Sequence, residues 1–411
     1  MDSREAPMER LLCKTPGCTR TILPSTAEGT GGFCMPCVQA SAREARAIFV
    51  AANRVEVDRF RGVSGPVEHI LLLHDEPPID PLKVYAPSPR SAGDLYRSLS
   101  AEQCRRLVEE ARASPELLRT VGVHLAHFSD HSLHEVQRAL LDLGEFFPCY
   151  VFRGAPLEIV RALIQRLGSK EHEMNQLLVA LAWTRHPAAM AAFIRWSADP
   201  PPWASSLHVP PAEYTLEAGY EIVDGVPSEL FAQDCRAIDF RSAEPRAGES
   251  SFVVCEPTFG PGCPSCGDKP CLLVRGLADS SGADVATCLR CVETRVVFAF
   301  ADFARGWTTF NAASDRQHDA RSEPPTREAQ LGSPRSSFAA VDWCIGESLS
   351  QIGGHPSWFN DANYPTCPSC ARRMHFRLQV ALEQLAPHSE GIIHAFRCES
   401  CAIVATDFEQ S

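Results

Sequence analysis

Twelve of the eighteen cysteines in this 411-residue chain fall into short pairs. Cys13 and Cys18 precede Cys34 and Cys37; Cys263 and Cys266 precede Cys288 and Cys291; Cys367 and Cys370 precede Cys398 and Cys401. Thiolates on short knuckles select a metal that prefers sulfur, and four of them close a tetrahedral zinc site. The chain is therefore expected to hold up to three structural zinc ions, with iron as the alternative for four thiolates. In the middle group Cys255 and Cys271 also lie near, so its ligands stay open among these and Cys263, Cys266, Cys288 and Cys291. All-thiolate coordination leaves no open position for water or substrate, which a catalytic zinc needs.

Other chemistry is sparse. His124, His127, His131 and His134 have spacings of three and four that could align imidazoles on a helix, the one hint of a metal-dependent hydrolase. Ser129-Asp130 and a cap at Ser132 are expected to break that helix between the pairs. There is no His-Glu-x-x-His, phosphate-cradling glycine loop or nucleophile elbow, so no catalytic residue is named. Cys104, Cys149, Cys235 and Cys344 stand alone, as small buried side chains do.

Composition narrows the partner. The net charge is −12, with hydrophobic content of 45% and charged content of 22%, ordinary for a folded soluble protein. A protein living on phosphate contacts carries a basic face; this balance favours a basic protein partner over nucleic acid. The first residues lack the apolar core of a signal peptide, and no apolar run reaches spanning length. The expected setting is cytoplasmic, without a membrane partner, where thiols stay reduced. Lys14, Lys83, Lys170 and Lys269 are the only lysines; with abundant Arg, Ala and Pro, that suggests a GC-rich bacterial genome.

The elements that must carry these groups give an α+β multidomain reading. Residues 1–62 are a four-Cys zinc unit followed by an amphipathic helix from about Val38 to Arg59. Arg43, Arg46, Arg54 and Arg59 would form its solvated face, or a nucleic-acid surface under the alternative reading. Residues 63–98 are a Pro-rich linker with a short strand at Leu71-Leu72-Leu73. Residues 99–203 are a HEAT-like helical stack, with capping spacing at Ser100/Gln103 and Ser132/Glu135 and first-turn prolines in Ser114-Pro115 and His186-Pro187. Residues 204–310 are an α+β region with the second four-Cys site, 311–337 a polar flexible linker, and 338–411 a β-rich C-terminal zinc unit. The order knuckle, strand, C-x-x-C, strand recurs in the last two units and implies an internal duplication.

Within the last unit, Gly353-Gly354-x-Pro356-x-Trp358, then Cys367-Pro-x-Cys370, a strand containing Leu378-Gln379 and a closing Cys398-x-x-Cys401 resembles the YwqG-like bacterial family. It is also similar to the C-terminal region of programmed-cell-death-2 proteins, which chaperone a ribosomal protein. The resemblance covers about 345–411, with an echo at 251–300. Ala371 departs from it, because the residue after such a knuckle is usually a glycine with positive φ. The resemblance implies an interaction or chaperone role and no catalytic residues. The expected function is a non-enzymatic, zinc-stabilised protein-binding module: an immunity-type neutraliser or chaperone of a basic bacterial protein. The alternatives are a nucleic-acid-binding zinc-ribbon protein and, behind it, the hydrolase.

Overall fold

Helix starts in this chain are written locally, in side chains that catch orphan amide groups. The Ser100 hydroxyl accepts from Gln103 N–H while the Gln103 side chain accepts from Ser100 N–H, a complete capping box. Ser114 accepts from Leu117 N–H ahead of Pro115, and the His186 ring accepts from Ala188 N–H ahead of Pro187. Ser132 behaves otherwise: the helix begins at His134, and the hydroxyl takes up only the His134 N–H.

The structure is a computed structural model. It describes residues 10–168, 173–240, 251–257, 260–275, 285–311, 326–345, 348–386 and 389–410. Two compact units divide at Leu95 and Tyr96, so the expected boundary at 62 does not separate units.

In the first unit, β1 (Leu11–Leu12) and β2 (Thr21–Ile22) form an antiparallel pair, followed by α1 (Pro24–Thr30) and α2 (Met35–Asn53). None of the residues of α2 is buried. The helix stops six residues short of the expected Arg59, because β3 (Val55–Val57) pairs in parallel with β4 (Lys83–Tyr85). Between them α3 (Pro66–His74) buries Val67, His69 and Ile70. The three leucines at 71–73 are therefore helical: Pro66 sits in the first turn, where its missing N–H costs nothing. The short helix α4 (Ala92–Arg97) carries the boundary.

The second unit contains a helical stack and one large sheet. The stack comprises α5 (Ala101–Ala111), α6 (Pro115–Phe128), α7 (His134–Leu143), α8 (Leu157–Arg166), α9 (Met174–Trp183) and α10 (Pro187–Ala198). Each helix packs on the next, and α5 also meets α7 as α8 meets α10. Leu107, Leu118, Leu140, Leu163 and Leu177 are completely buried along it, as the helical spacing of its leucines requires. After a hairpin of β5 (Tyr220–Val223) and β6 (Val226–Glu229) come β7 (Cys235–Phe240), β8 (Ser251–Pro257), β9 (Cys271–Arg275) and β10 (Val285–Thr287). Then follow α11 (Leu289–Val292), β11 (Val297–Phe300), β12 (Arg327–Arg335), β13 (Gln351–Ile352), β14 (His375–Ala381), β15 (Ile392–Cys398) and β16 (Ile403–Glu409).

Strands β7 to β16 make a single ten-stranded sheet in the order β10-β9-β8-β12-β7-β13-β14-β15-β16-β11. Every pairing in it is antiparallel. It is nearly closed, with the Thr287 and Thr406 hydroxyls of β10 and β16 2.7 Å apart. Taken as a ring, the order is unchanged when β7–β11 is exchanged with β12–β16. The duplication therefore consists of two five-stranded repeats, and the first strand of each has crossed over. β7 pairs with β13 of the second repeat, and β12 pairs with β8 of the first.

This crossing removes the expected divisions at 310 and 337. Residues 312–325 of the expected linker lie outside the described residues, but Arg327–Arg335 are a central strand. Hydrogen-bond partners on both sides stabilise this polar sequence, and Pro334 falls at a register shift where no ladder N–H is needed. Nor does 203 divide the unit. Tyr150 donates to Asp342 at 2.7 Å, and Trp183 packs on His355 and Phe338 at 4.7 and 5.7 Å.

Candidate metal centres

Among the described residues, three groups of potential metal ligands come together, and each is four cysteines. They are Cys13, Cys18, Cys34 and Cys37; Cys263, Cys266, Cys288 and Cys291; and Cys367, Cys370, Cys398 and Cys401, with the sulfurs of each group within 4.8 Å of one another. Cys18 and Cys34 sulfurs are 3.8 Å apart, Cys263 and Cys291 3.7 Å, Cys266 and Cys288 3.5 Å, and Cys370 and Cys398 3.6 Å. A tetrahedron of zinc–sulfur bonds of about 2.3 Å has edges of about 3.8 Å. The residues present therefore fit a zinc-sized, sulfur-loving ion.

In the first group, the β1–β2 turn supplies Cys13 and Cys18, and the start of α2 supplies Cys34 and Cys37. Cys13 N–H donates to Arg20 O at 2.9 Å and Lys14 N–H to Gly32 O at 3.0 Å, tying the turn to the loop before α2. Cys34 N–H donates to the Cys13 sulfur at 3.2 Å. Thiolates gathered at a long helix's amino end meet its free N–H groups and favourable dipole.

The other two groups occupy equivalent places in the two repeats. Each has a knuckle before the repeat's third strand and a C-x-x-C before its fifth. Gly267 N–H donates to Cys263 O at 2.8 Å, and Ala371 N–H donates to Cys367 O at 2.9 Å. The two turns match in conformation, since Gly267 has φ +81° and Ala371 has φ +57°. Ala371 thus adopts the left-handed conformation its position demands and bears the strain glycine avoids. Cys255 and Cys271 are buried in the same apolar cluster as the middle group but lie outside its set of four sulfurs.

The thiols conflict with one another electrostatically. In the first group the Thr15 hydroxyl, ahead of the Cys34 N–H, draws Cys13 down to about 6. Cys37 rises to about 12 against the pull of Thr15, under the influence of Cys34 and burial. In the middle group Cys288 and an N–H from Ser265 pull Cys263 down to about 5, while burial lifts Cys291 to about 12. In the last, the Arg372 N–H lowers Cys370 to about 6 and burial raises Cys398 to about 12. Sulfurs this close cannot all ionise on their own; a divalent cation among them removes the conflict.

The histidines do not converge. The His124 ring lies 2.8 Å from Thr120 O and stacks on Tyr96, and the His131 ring lies 2.8 Å from Leu99 O. Among the described residues neither these nor His127 and His134 belong to a group of three potential ligands. The proposed Arg face is also broken up. Arg54 caps α2 in an extended conformation, and Arg59 donates to the Asp75 carboxylate at 2.6 Å.

The sequence marks Gly353 to Trp358 only as part of the resemblance motif; in the structure the segment from Gly353 to Asn363 has a wider task. It crosses the sheet over a row of polar side chains opposite one another on four strands: Gln351, Gln379, His394 and Asp407. Gln351 donates to His355 O at 2.7 Å; Gln379 accepts from Ser357 N–H at 2.9 Å; the His394 ring lies 2.8 Å from Ser357 O. Asn363 donates to Asp407 at 3.0 Å. Each buried strand residue thus satisfies a polar group of the crossing segment, as buried polar groups require. Trp358 then packs in the cluster that holds the Cys367 and Cys398 sulfurs.

Two carboxylates grip the same segment: Glu217 accepts from Ala362 N–H at 2.7 Å and Glu409 from Phe359 N–H at 2.9 Å. Burial holds the Glu217 carboxyl up at about 7, with Asp361 and Glu409 adding to it. The folded chain keeps a proton there that the unfolded chain releases. The stabilisation is therefore fully present below about 4.5 and is lost as pH rises from there through about 7, above which both states are ionised. Glu217→Gln should flatten the slope of urea-melt stability between pH 8 and 6 by on the order of 1 kcal/mol. An unchanged slope would assign the titration to another group.

These observations define a mixed helix-and-sheet protein with three tetracysteine centres, two of them in a duplicated, nearly closed sheet. The chain belongs to the family of the uncharacterized protein YpfL of Salmonella typhimurium. It is 31% identical to that protein over 432 aligned positions, covering 98% of this chain and 100% of the relative. No family model matches the chain, so the likeness to YwqG-like proteins rests on the residues of about 345–411 and the echo at 251–300, and on no matched family. No solved structure matches. No helix among the described residues is long and apolar enough to cross a membrane.

Proposed function

We propose that this chain is a zinc-stabilised, non-enzymatic module that binds a basic protein, as an immunity-type neutraliser or a dedicated chaperone. The observation that carries the reading is the three sets of four sulfurs, each within 4.8 Å. Four thiolates fill a zinc ion's coordination shell, so the metal would staple loops instead of activating water. Zinc is favoured over iron because such knuckles flank strands in structural zinc ribbons. A net charge of −12 attracts basic proteins and repels phosphate backbones. The thiols suit a reducing, cytoplasmic setting. The nucleic-acid alternative has less support, because only Arg43 and Arg46 of its four arginines lie within α2.

The test is low-salt co-purification of the tagged full chain after nuclease treatment, with metals counted in the same sample. The expected result is one stoichiometric basic protein, released by salt, with about three zinc ions. Retention of no protein, or only of nuclease-sensitive material, overturns the binding reading; iron in place of zinc overturns the metal assignment.

A further inference from the structure

Among the described residues, seven of the seventeen large apolar side chains that stand exposed fall between Leu11 and Val55. Such a concentration in one short stretch marks an interaction surface. Its longest element, α2, has no buried residue along nineteen positions; Met35 is 50%, Phe49 59% and Ile48 64% exposed. A helix ordinarily owes most of its stability to a packed apolar face, and α2 carries such a face unused. Met35, Val38, Ala42, Ala45, Phe49 and Ala52 recur at alternating spacings of three and four, an unbroken seam of the kind that pairs helices side by side.

We propose that this seam docks a second copy of the chain, whose own α2 lies antiparallel along it. The seam is self-complementary in that direction. A two-fold axis between Ala42 and Ala45 sets Met35 against Ala52, Val38 against Phe49 and Ala42 against Ala45, so the largest groups meet smaller ones. The alanines at the axis let the backbones approach. On the flanks Ile48 falls beside Ser41, and Gln39 beside Arg46, so no like charges meet. A parallel pair would instead stack Phe49 on Phe49 between layers of alanine on alanine, overfilling one level and leaving voids at the next. Charge makes the same choice. At the four-cysteine end, residues 10–34 hold Arg10, Lys14 and Arg20 against Glu28 alone. A parallel pair brings two such basic ends together; an antiparallel pair separates them by the helix length of about 28 Å, well beyond a screening length of about 8–10 Å. Two helices of this length bury on the order of 1,000 Å², the low end for a specific interface. The dimer is therefore a reversible one, and it is independent of the basic partner.

The test is sedimentation velocity of the full chain, under reducing conditions, over concentrations of about 1–100 μM. A monomer–dimer equilibrium is expected, with a dissociation constant on the order of 10 μM. Phe49→Glu places a charge in the seam and should weaken the dimer at least about tenfold. Ala47→Glu, on the opposite side of the helix and also exposed, should leave it unchanged. Gln39→Glu sets a carboxylate opposite Arg46 of the second copy only in the antiparallel register, and should tighten the dimer about two- to fivefold. A monomer at every concentration, whether bare or holding an acidic protein instead, overturns the proposal. So does a dimer that Phe49→Glu leaves intact or that Ala47→Glu weakens equally. A dimer that Gln39→Glu does not tighten overturns the antiparallel register. Should circular dichroism show that Phe49→Glu unwinds α2, the Gln39→Glu and Ala47→Glu pair decides on a helix whose apolar face is unaltered.

Discussion

Cys367→Ser is expected to abolish cooperative folding of the unit that begins at Tyr96. The side chain is completely buried and sits in one apolar cluster with Phe376, Phe396, Cys398 and Trp358. Loss of one of four thiolates would open the coordination shell of the zinc proposed here and leave three sulfurs to compete for protons in an apolar surrounding. Structural zinc contributes about 10–16 kcal/mol in small peptides, against a total stability of about 5–15 kcal/mol for a domain. A loss above about 5 kcal/mol is therefore expected, and with it soluble expression. Cys344→Ser is the control, because Cys344 is exposed and outside every sulfur group; it should melt within a degree or two of the parent. Thermal unfolding by circular dichroism, with zinc counted on the same samples, reads both. If Cys367→Ser loses one zinc yet melts like Cys344→Ser, the last centre is an appended metal site and the fold stands without it.

The sulfur sets picked out by spacing are the ones whose atoms gather, because each ligand pair is held in a turn of a few residues. The same locality makes Ser100, Ser114 and His186 readable as helix caps. What escaped the sequence depends on distant partners. Arg327–Arg335 has no apolar alternation beyond Ala329 and Leu331, and it is a strand because β7 and β8 offer ladders on both sides. Gln351, Gln379 and Asp407 look like the solvent face of alternating strands. They are buried because a segment of the same chain lies over them. The exchange of β7 and β12 between repeats leaves no local signal at all. A duplication can be read from repeated knuckles, but which repeat a strand joins is decided by the whole sheet.

The Gly353-Gly354 pair is where sequence and sheet meet most tightly, and Gly353→Ala is the second substitution expected to have a large effect. Gly353 has φ +65° and Gly354 φ +72°, a region that disfavours side chains by about 1–2 kcal/mol. A methyl group on Gly353 would lie 1.8 Å from the Asp234 carbonyl oxygen, and one on Gly354 2.7 Å from the Cys235 sulfur. The clashing atom is the backbone carbonyl of Asp234, the residue just before β7, the strand that crosses between repeats, so it cannot turn aside as a flexible side chain would. The same turn is closed by Gly353 N–H to Arg377 O at 2.7 Å and Gly354 N–H to Ala232 O at 2.8 Å. Relieving the clash means pulling the segment off β7 and β14 together, which uncovers the Gln351 and Gln379 amides. The expected loss is about 3–5 kcal/mol, read from urea melts. A Gly29→Ala control has open space around it and should stay within about 0.5 kcal/mol or gain stability. Hydrogen exchange should show protection lost first at β13 and β14, with the first unit unaffected. A Gly353→Ala protein with parental stability would mean that the glycine pair is not what lets this segment approach the sheet.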